Sequence, residues 1–159
     1  MSDGFEEGAF LGLPRGDGPV DIAVVPLAYE LTTSYGTGAC DGPQACIEAS
    51  AQVELYDDRL EADLPAGHVI STESVWVGSA PTLRAQLDEL ASHAASFYLG
   101  DLFPLFLGGE HGILPPIMHA ARHHPAVNGD LSSLTVVQLD AHADLRSSLD
   151  DEVFSHACA

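Results

Sequence analysis

Lysine is absent from this 159-residue chain: its five basic residues are all arginine, set against 24 aspartates and glutamates. A net charge of -19 excludes nucleic acid and anionic membrane surfaces as partners, because like charge repels both. Such self-repulsion weakens a compact state in dilute salt and keeps a protein hydrated where salt screens it, so the balance predicts a salt-rich cytoplasm. Cysteine is also scarce. The three thiols, Cys40, Cys46 and Cys158, are odd in number and match no CxxC pattern, which predicts free thiols in a reducing compartment. No apolar run approaches the ~18 residues that a membrane span needs. The N-terminus lacks the basic and apolar regions of a secretory signal. GxSxG, GxGxxG and HExxH are all missing, which removes the nucleophile elbow, the dinucleotide loop and the zincin helix from consideration.

What remains is 46% hydrophobic and long enough for one domain with a real core. Residues 1–19 are polar and Gly-rich and read as a flexible arm. "VDIAVVPLAY", "HVISTESVWVG", "LFPLFLGG" and "LTVVQLD" read as strands, being rich in β-branched or apolar residues and bounded by turn formers. Helices are predicted between them. "PQACIEASAQVELYDD" begins with a helix-starting proline, Leu83, Leu87, Leu90, Ala94 and Phe97 recur on one helical face, and "ILPPIMHAARHH" follows the third strand. Strands alternating with helices give an α/β fold with a mostly parallel sheet, whose ligands bind at the carboxyl ends of the strands.

Both later strands end in ionisable groups. "LGGEHG" places His111 after Gly108 and Gly109, and "LDAHADLR" places Asp140, His142 and Asp144 at alternate positions. In extended backbone, residues i, i+2 and i+4 share a face, so two carboxylates and an imidazole would converge. A divalent cation relieves the repulsion between the carboxylates, and an oxygen and imidazole donor set without thiolate suits Mn, Fe or Zn. His119 and His123, four apart on the third helix, read as a solvated face.

"LGGEHG", "LDAHADLR", "SHACA" and "TTSYGTGACDGPQACIEASAQVELYD" together resemble the motifs of the ureohydrolases, the arginase and agmatinase family, and among them the agmatinases of archaeal type. The resemblance runs from Val20 to the last residue. It implies a three-layer α/β/α fold and a binuclear Mn2+ centre that hydrolyses a guanidino group to urea and an amine. His111 would bind one manganese and His142 the other, with Asp140 and Asp144 binding or bridging the pair. His156 matches the histidine that moves a proton near the substrate. The resemblance further implies a small cationic guanidino substrate, agmatine first, a cytoplasmic enzyme, and a homo-oligomer when complete. Guanidinobutyrate, arginine and formiminoglutamate are the sibling substrates.

The chain departs from the family pattern in three ways, the mildest being Gln44 and Cys46 around where the family often has Arg and Ile. Gly112 stands where the family usually has Ser after the histidine. The later Asp-x-Asp motif, which supplies two more metal ligands, does not occur. Residues 1–159 are therefore expected to be the N-terminal part of a single ureohydrolase domain, incomplete at the C-terminal side and weak or inactive alone. A truncated, non-catalytic metal-binding or regulatory subunit is the alternative.

Overall fold

The computed structural model describes residues 8–159. Its centre is a three-stranded parallel sheet built from β1 (Ile22–Leu27), β4 (Ile70–Thr72) and β5 (Phe103–Gly108), in the order β4-β1-β5. β1 takes the middle because its "IAVVPL" run is apolar on both faces, as a strand covered on both sides must be, and Ala23 to Leu27 are buried. Pro26 lies past the last β1–β4 pair, Val24↔Thr72, so its missing N–H takes no bond from that ladder. Its carbonyl instead accepts from Trp76 N at 2.9 Å, while Trp76 O accepts from Ala28 N at 2.9 Å. Trp76 thus closes the carboxyl end of β1, where the expected strand 68–78 has shortened to three residues and one bridge.

Helices cover the sheet. α2 (Leu83–Ala95) starts at Thr82, whose side chain accepts from Ala85 N, and it buries Leu87, Leu90 and Ala94. α3 (Leu114–Ala120) has Pro in its first turn and buries Ile117 and Ala120. These side chains meet Ala23, Val25 and Leu27 in one core cluster. A leucine as deeply buried as Leu90 contributes roughly 1.5–3 kcal/mol by leaving water. α1 (Gly42–Ser50) packs against β1 and β5, with Ile47 buried outside that cluster. α1 stops at Ser50, seven residues before the first member of the Asp pair that the sequence pattern favoured as its end. Asp57 explains the difference: its Oδ1 accepts from Arg59 N and Leu60 N, and that local turn pairs β2 (Tyr56–Asp57) with β3 (Ala62–Asp63).

Residues 9–12, within the segment expected to be an arm, dock on this frame. Phe10 N donates to Thr72 Oγ1 at 2.8 Å, and Leu11 N donates to Ser50 Oγ at 2.7 Å. Residues 1–7 of that expected arm lie outside the described residues. Among the described residues, no helix is long and apolar enough to cross a membrane.

The fourth expected strand does not form. Residues 134–139 pair with no neighbour among the described residues, and Val137 and Leu139 are 78% and 96% exposed. Their β-branched and apolar character suits a sheet, but a strand also needs ladder partners for its N–H and C=O groups, and none is adjacent.

Candidate metal centre

β5 delivers His111 through a tight backbone approach. The β1–β5 ladder continues past the strand, with Gly109 N donating to Leu27 O at 3.1 Å and Glu110 N to Tyr29 O at 2.9 Å. A Cβ on Gly109 would lie 2.1 Å from Tyr29 O, so only glycine lets the two backbones run this close. Glu110 then turns inward and is 6% exposed. Its Oε2 accepts from Leu31 N at 2.9 Å and Thr32 N at 2.7 Å, and its Oε1 accepts from Thr32 Oγ1 at 2.5 Å. That clamp ties the loop after β1 to the end of β5 and leaves the His111 ring facing solvent.

Opposite lies the segment 137–144, which forms the other wall of a cleft lined by Gly109, His111, Val137, Gln138, Asp140 and Asp144. Ligand atoms of His111, Asp140 and Asp144 lie within 4.8 Å of one another. His111 Nε2 is 3.3 Å from Asp144 Oδ2, and Gln138 Nε2 donates to the same oxygen at 3.4 Å. An ion with bonds of about 2.1 Å spaces its donors by roughly 3–4 Å, so this trio fits one hard or borderline divalent cation. The negative charge converging on the cleft suits a cation as well.

His142 is brought to the edge of the group but not into it. Its ring is 82% exposed, with Nδ1 3.7 Å from Asp140 Oδ1, while its backbone N–H donates to that same oxygen at 2.8 Å. The alternation expected of Asp140, His142 and Asp144 is lost because the chain turns here, with Asp144 in the left-handed region at φ 54°. His156, distant in sequence, is close in space. A short 3-10 turn, His156–Cys158, sets its ring 5.5 Å from that of His111. Thr32 Oγ1 lies 3.3 Å from His156 Nδ1 and Ser34 Oγ 3.2 Å from Nε2, and His156 N donates to Thr32 Oγ1 at 2.9 Å.

Several contributing residues were not read from the sequence as part of the site. Thr32, Ser34 and the buried Glu110 sit in it through tertiary contacts; the only available signal was the turn-rich "TTSYG" directly after a strand end. Glu30 fixes the same loop, accepting from Gly38 N at 2.9 Å and Cys40 N at 3.0 Å. Those bonds, Cys40 first, hold its carboxyl below the usual range. Tyr29 is buried beneath the site with an unpartnered hydroxyl, and burial, then Glu110 and Glu152, push that phenol well above its ordinary pKa. Gly112 also finds its reason here: a Cβ would stand 2.9 Å from Glu110 Oε1 and 3.4 Å from Tyr29 Cε1.

A parallel sheet with helices packed against it and a histidine–carboxylate cluster beyond the end of β5 define an α/β fold with a candidate cation site. The chain belongs to the arginase family, whose model matches residues 20–159. It is 36% identical over 141 residues to an N(1)-aminopropylagmatine ureohydrolase of Synechocystis, covering 86% of this chain and 44% of the relative. It is 29% identical over 137 residues to the agmatinase of Bacillus cereus, again covering 86% and 44%. The proclavaminate amidino hydrolase of Streptomyces clavuligerus shares the fold at a TM-score of 0.81 and 24% identity, over 99% of this chain and 51% of that one. The chain thus spans about half the length of these relatives.

Proposed function

We propose that this chain supplies the N-terminal part of the active centre of a manganese-dependent ureohydrolase that releases urea from agmatine or an agmatine derivative. The observation that carries the reading is the convergence of His111, Asp140 and Asp144 beside the ring of His156. A guanidinium carbon is a poor electrophile because its charge is spread over three nitrogens. Bound as a pair, divalent ions would lower the pKa of water toward neutrality, which is the activation that such a carbon requires.

The residues of this chain perform the remaining work. His111, Asp140 and Asp144 would hold one ion, and His142, its Nδ1 3.7 Å from Asp140 Oδ1, is a further donor for the pair. Two ions need more anionic donors than these four residues provide, so the reading calls for carboxylates from outside this chain, and residues 1–159 alone would be weak or inactive. His156 delivers a proton to the departing amine, which leaves only as its protonated form. The acidic surface favours a cationic substrate, agmatine or its N(1)-aminopropyl derivative ahead of arginine, and the charge of -19 suits a salt-rich cytoplasm.

The test is urea release by the complete gene product, loaded with Mn2+ in concentrated salt, from agmatine, N(1)-aminopropylagmatine, guanidinobutyrate and arginine. Urea from either of the first two is expected, with loss of at least 100-fold in kcat/KM for His111→Ala. Absence of urea from every guanidino compound, despite bound manganese, would leave a non-catalytic metal-binding role.

A further inference from the structure

We infer that Thr32 is a positioning residue that fixes the tautomer of His156, keeping the proton on Nδ1 and presenting Nε2 as the atom that exchanges protons in the cleft. This rests on the proposed ureohydrolase reading for the use of His156, but the geometry stands by itself. A threonine hydroxyl has one proton to donate and two lone pairs to accept with. In this structure all three are assigned. The proton goes to Glu110 Oε1 at 2.5 Å, the shortest hydrogen bond around the site, while Oε2 of the same side chain takes the Leu31 and Thr32 N–H groups. One lone pair accepts from the His156 backbone N–H at 2.9 Å. The other faces His156 Nδ1 at 3.3 Å.

With its proton committed, Thr32 Oγ1 can only accept from the ring. A bare Nδ1 would set two lone pairs against each other, whereas Nδ1–H makes a bond. Ser155 Oγ, 3.4 Å from the same nitrogen, does not reverse the conclusion: a hydroxyl also accepts, so Nδ1–H satisfies both neighbours while a bare Nδ1 satisfies only Ser155. At the opposite side of the ring, Ser34 Oγ lies 3.2 Å from Nε2 and is exposed, free to donate to it. The order Glu110–Thr32–His156 therefore runs one way, from a buried carboxylate through a hydroxyl to an oriented imidazole. Glu110 is itself anchored by Leu31 N and Thr32 N, so the whole relay hangs on backbone and does not depend on mobile side chains.

The experiment has two readouts on the complete gene product. In 15N NMR with labelled histidine, neutral wild-type His156 is expected as the Nδ1–H form. Thr32→Val removes the acceptor and is expected to shift the ring to a mixture or to Nε2–H, and Thr32→Ser restores the wild-type pattern. In kinetics, Thr32→Val lowers kcat 10- to 100-fold with KM within twofold, and Thr32→Ser recovers most of it. A wild-type His156 found as Nε2–H overturns the inference without any variant, even if Thr32→Val fails to fold. An unchanged tautomer or an unchanged kcat in folded Thr32→Val also overturns it. If the wild-type protein releases no urea at all, the ureohydrolase reading fails, and the tautomer of His156 still decides the role of Thr32.

Discussion

The two segments that meet at the cleft, the end of β5 and residues 137–144, are built very differently. The end of β5 is locked: Gly109 lies against the Tyr29 carbonyl, Glu110 is buried with three hydrogen bonds, and Ile113 and Ile117 root the following turn in the core. The segment carrying Asp140, His142 and Asp144 is held mainly by local bonds, such as His142 N to Asp140 Oδ1 and Gln138 Nε2 to His142 O, with the His111–Asp144 contact across the cleft, and its apolar residues face water. Both carry ligands of the same candidate centre. One side of the centre is therefore preorganised and the other is adjustable, and a bound ion would gain most of its ordering effect on the second.

Breaking the rigid side gives the largest expected effect. Gly109→Ala forces a Cβ to within 2.1 Å of one carbonyl and 3.1 Å of another, Ala39 O, with no flexible side chain to yield. Overpacking of this kind costs about 1–3 kcal/mol, read as a lowered midpoint in urea unfolding, and weaker metal binding should accompany it. An unchanged midpoint would mean that the two backbones separate easily and that the contrast between the two segments is false.

The Glu30 clamp on the loop 38–40 offers a gentler probe of the same side. Its folded pKa is lowered by the Cys40 and Gly38 N–H groups, so the clamp's contribution is present above the ordinary Glu value of about 4.3 and is lost as pH falls through the folded value. The amide signals of Gly38 and Cys40 should therefore move together below that ordinary value, and Glu30→Gln should abolish the transition. The smallest effect belongs to the adjustable side. Leu139→Ser is expected to change the stability of the 159-residue chain by no more than about 0.5 kcal/mol, as for other exposed positions. A loss of several times that would show that the segment is covered in solution and would erase the difference.

The same contrast explains how much could be read from sequence. β1, β5 and the apolar face of α2 were legible because hydrophobic period and composition report burial directly, and Leu87, Leu90 and Ala94 lie where their spacing put them. The convergence of His111, Asp140 and Asp144 was legible because groups costly to bury directly follow two apolar runs. The strand at 134–139 was misread, since residue type measures fitness for a sheet and says nothing about whether a neighbouring edge is there to pair with. His142 missed the cluster for the same reason: strand alternation applies only where extended geometry persists, and the turn at Asp144 ends it. The roles of Thr32 and Ser34 were invisible because each depends on a partner more than 120 residues away in the chain.

Trp76 bridges the carboxyl end of β1 and stacks against His93 at 6.3 Å, and it is the sole tryptophan of the chain. Burial lowers the pKa of that histidine, so the protonation that makes an imidazole a stronger quencher of indole emission is shifted to more acid solution. The molecule consequently carries its own optical gauge, a single indole seated where the central strand gives way to the loops of the cleft, with no added label to disturb them.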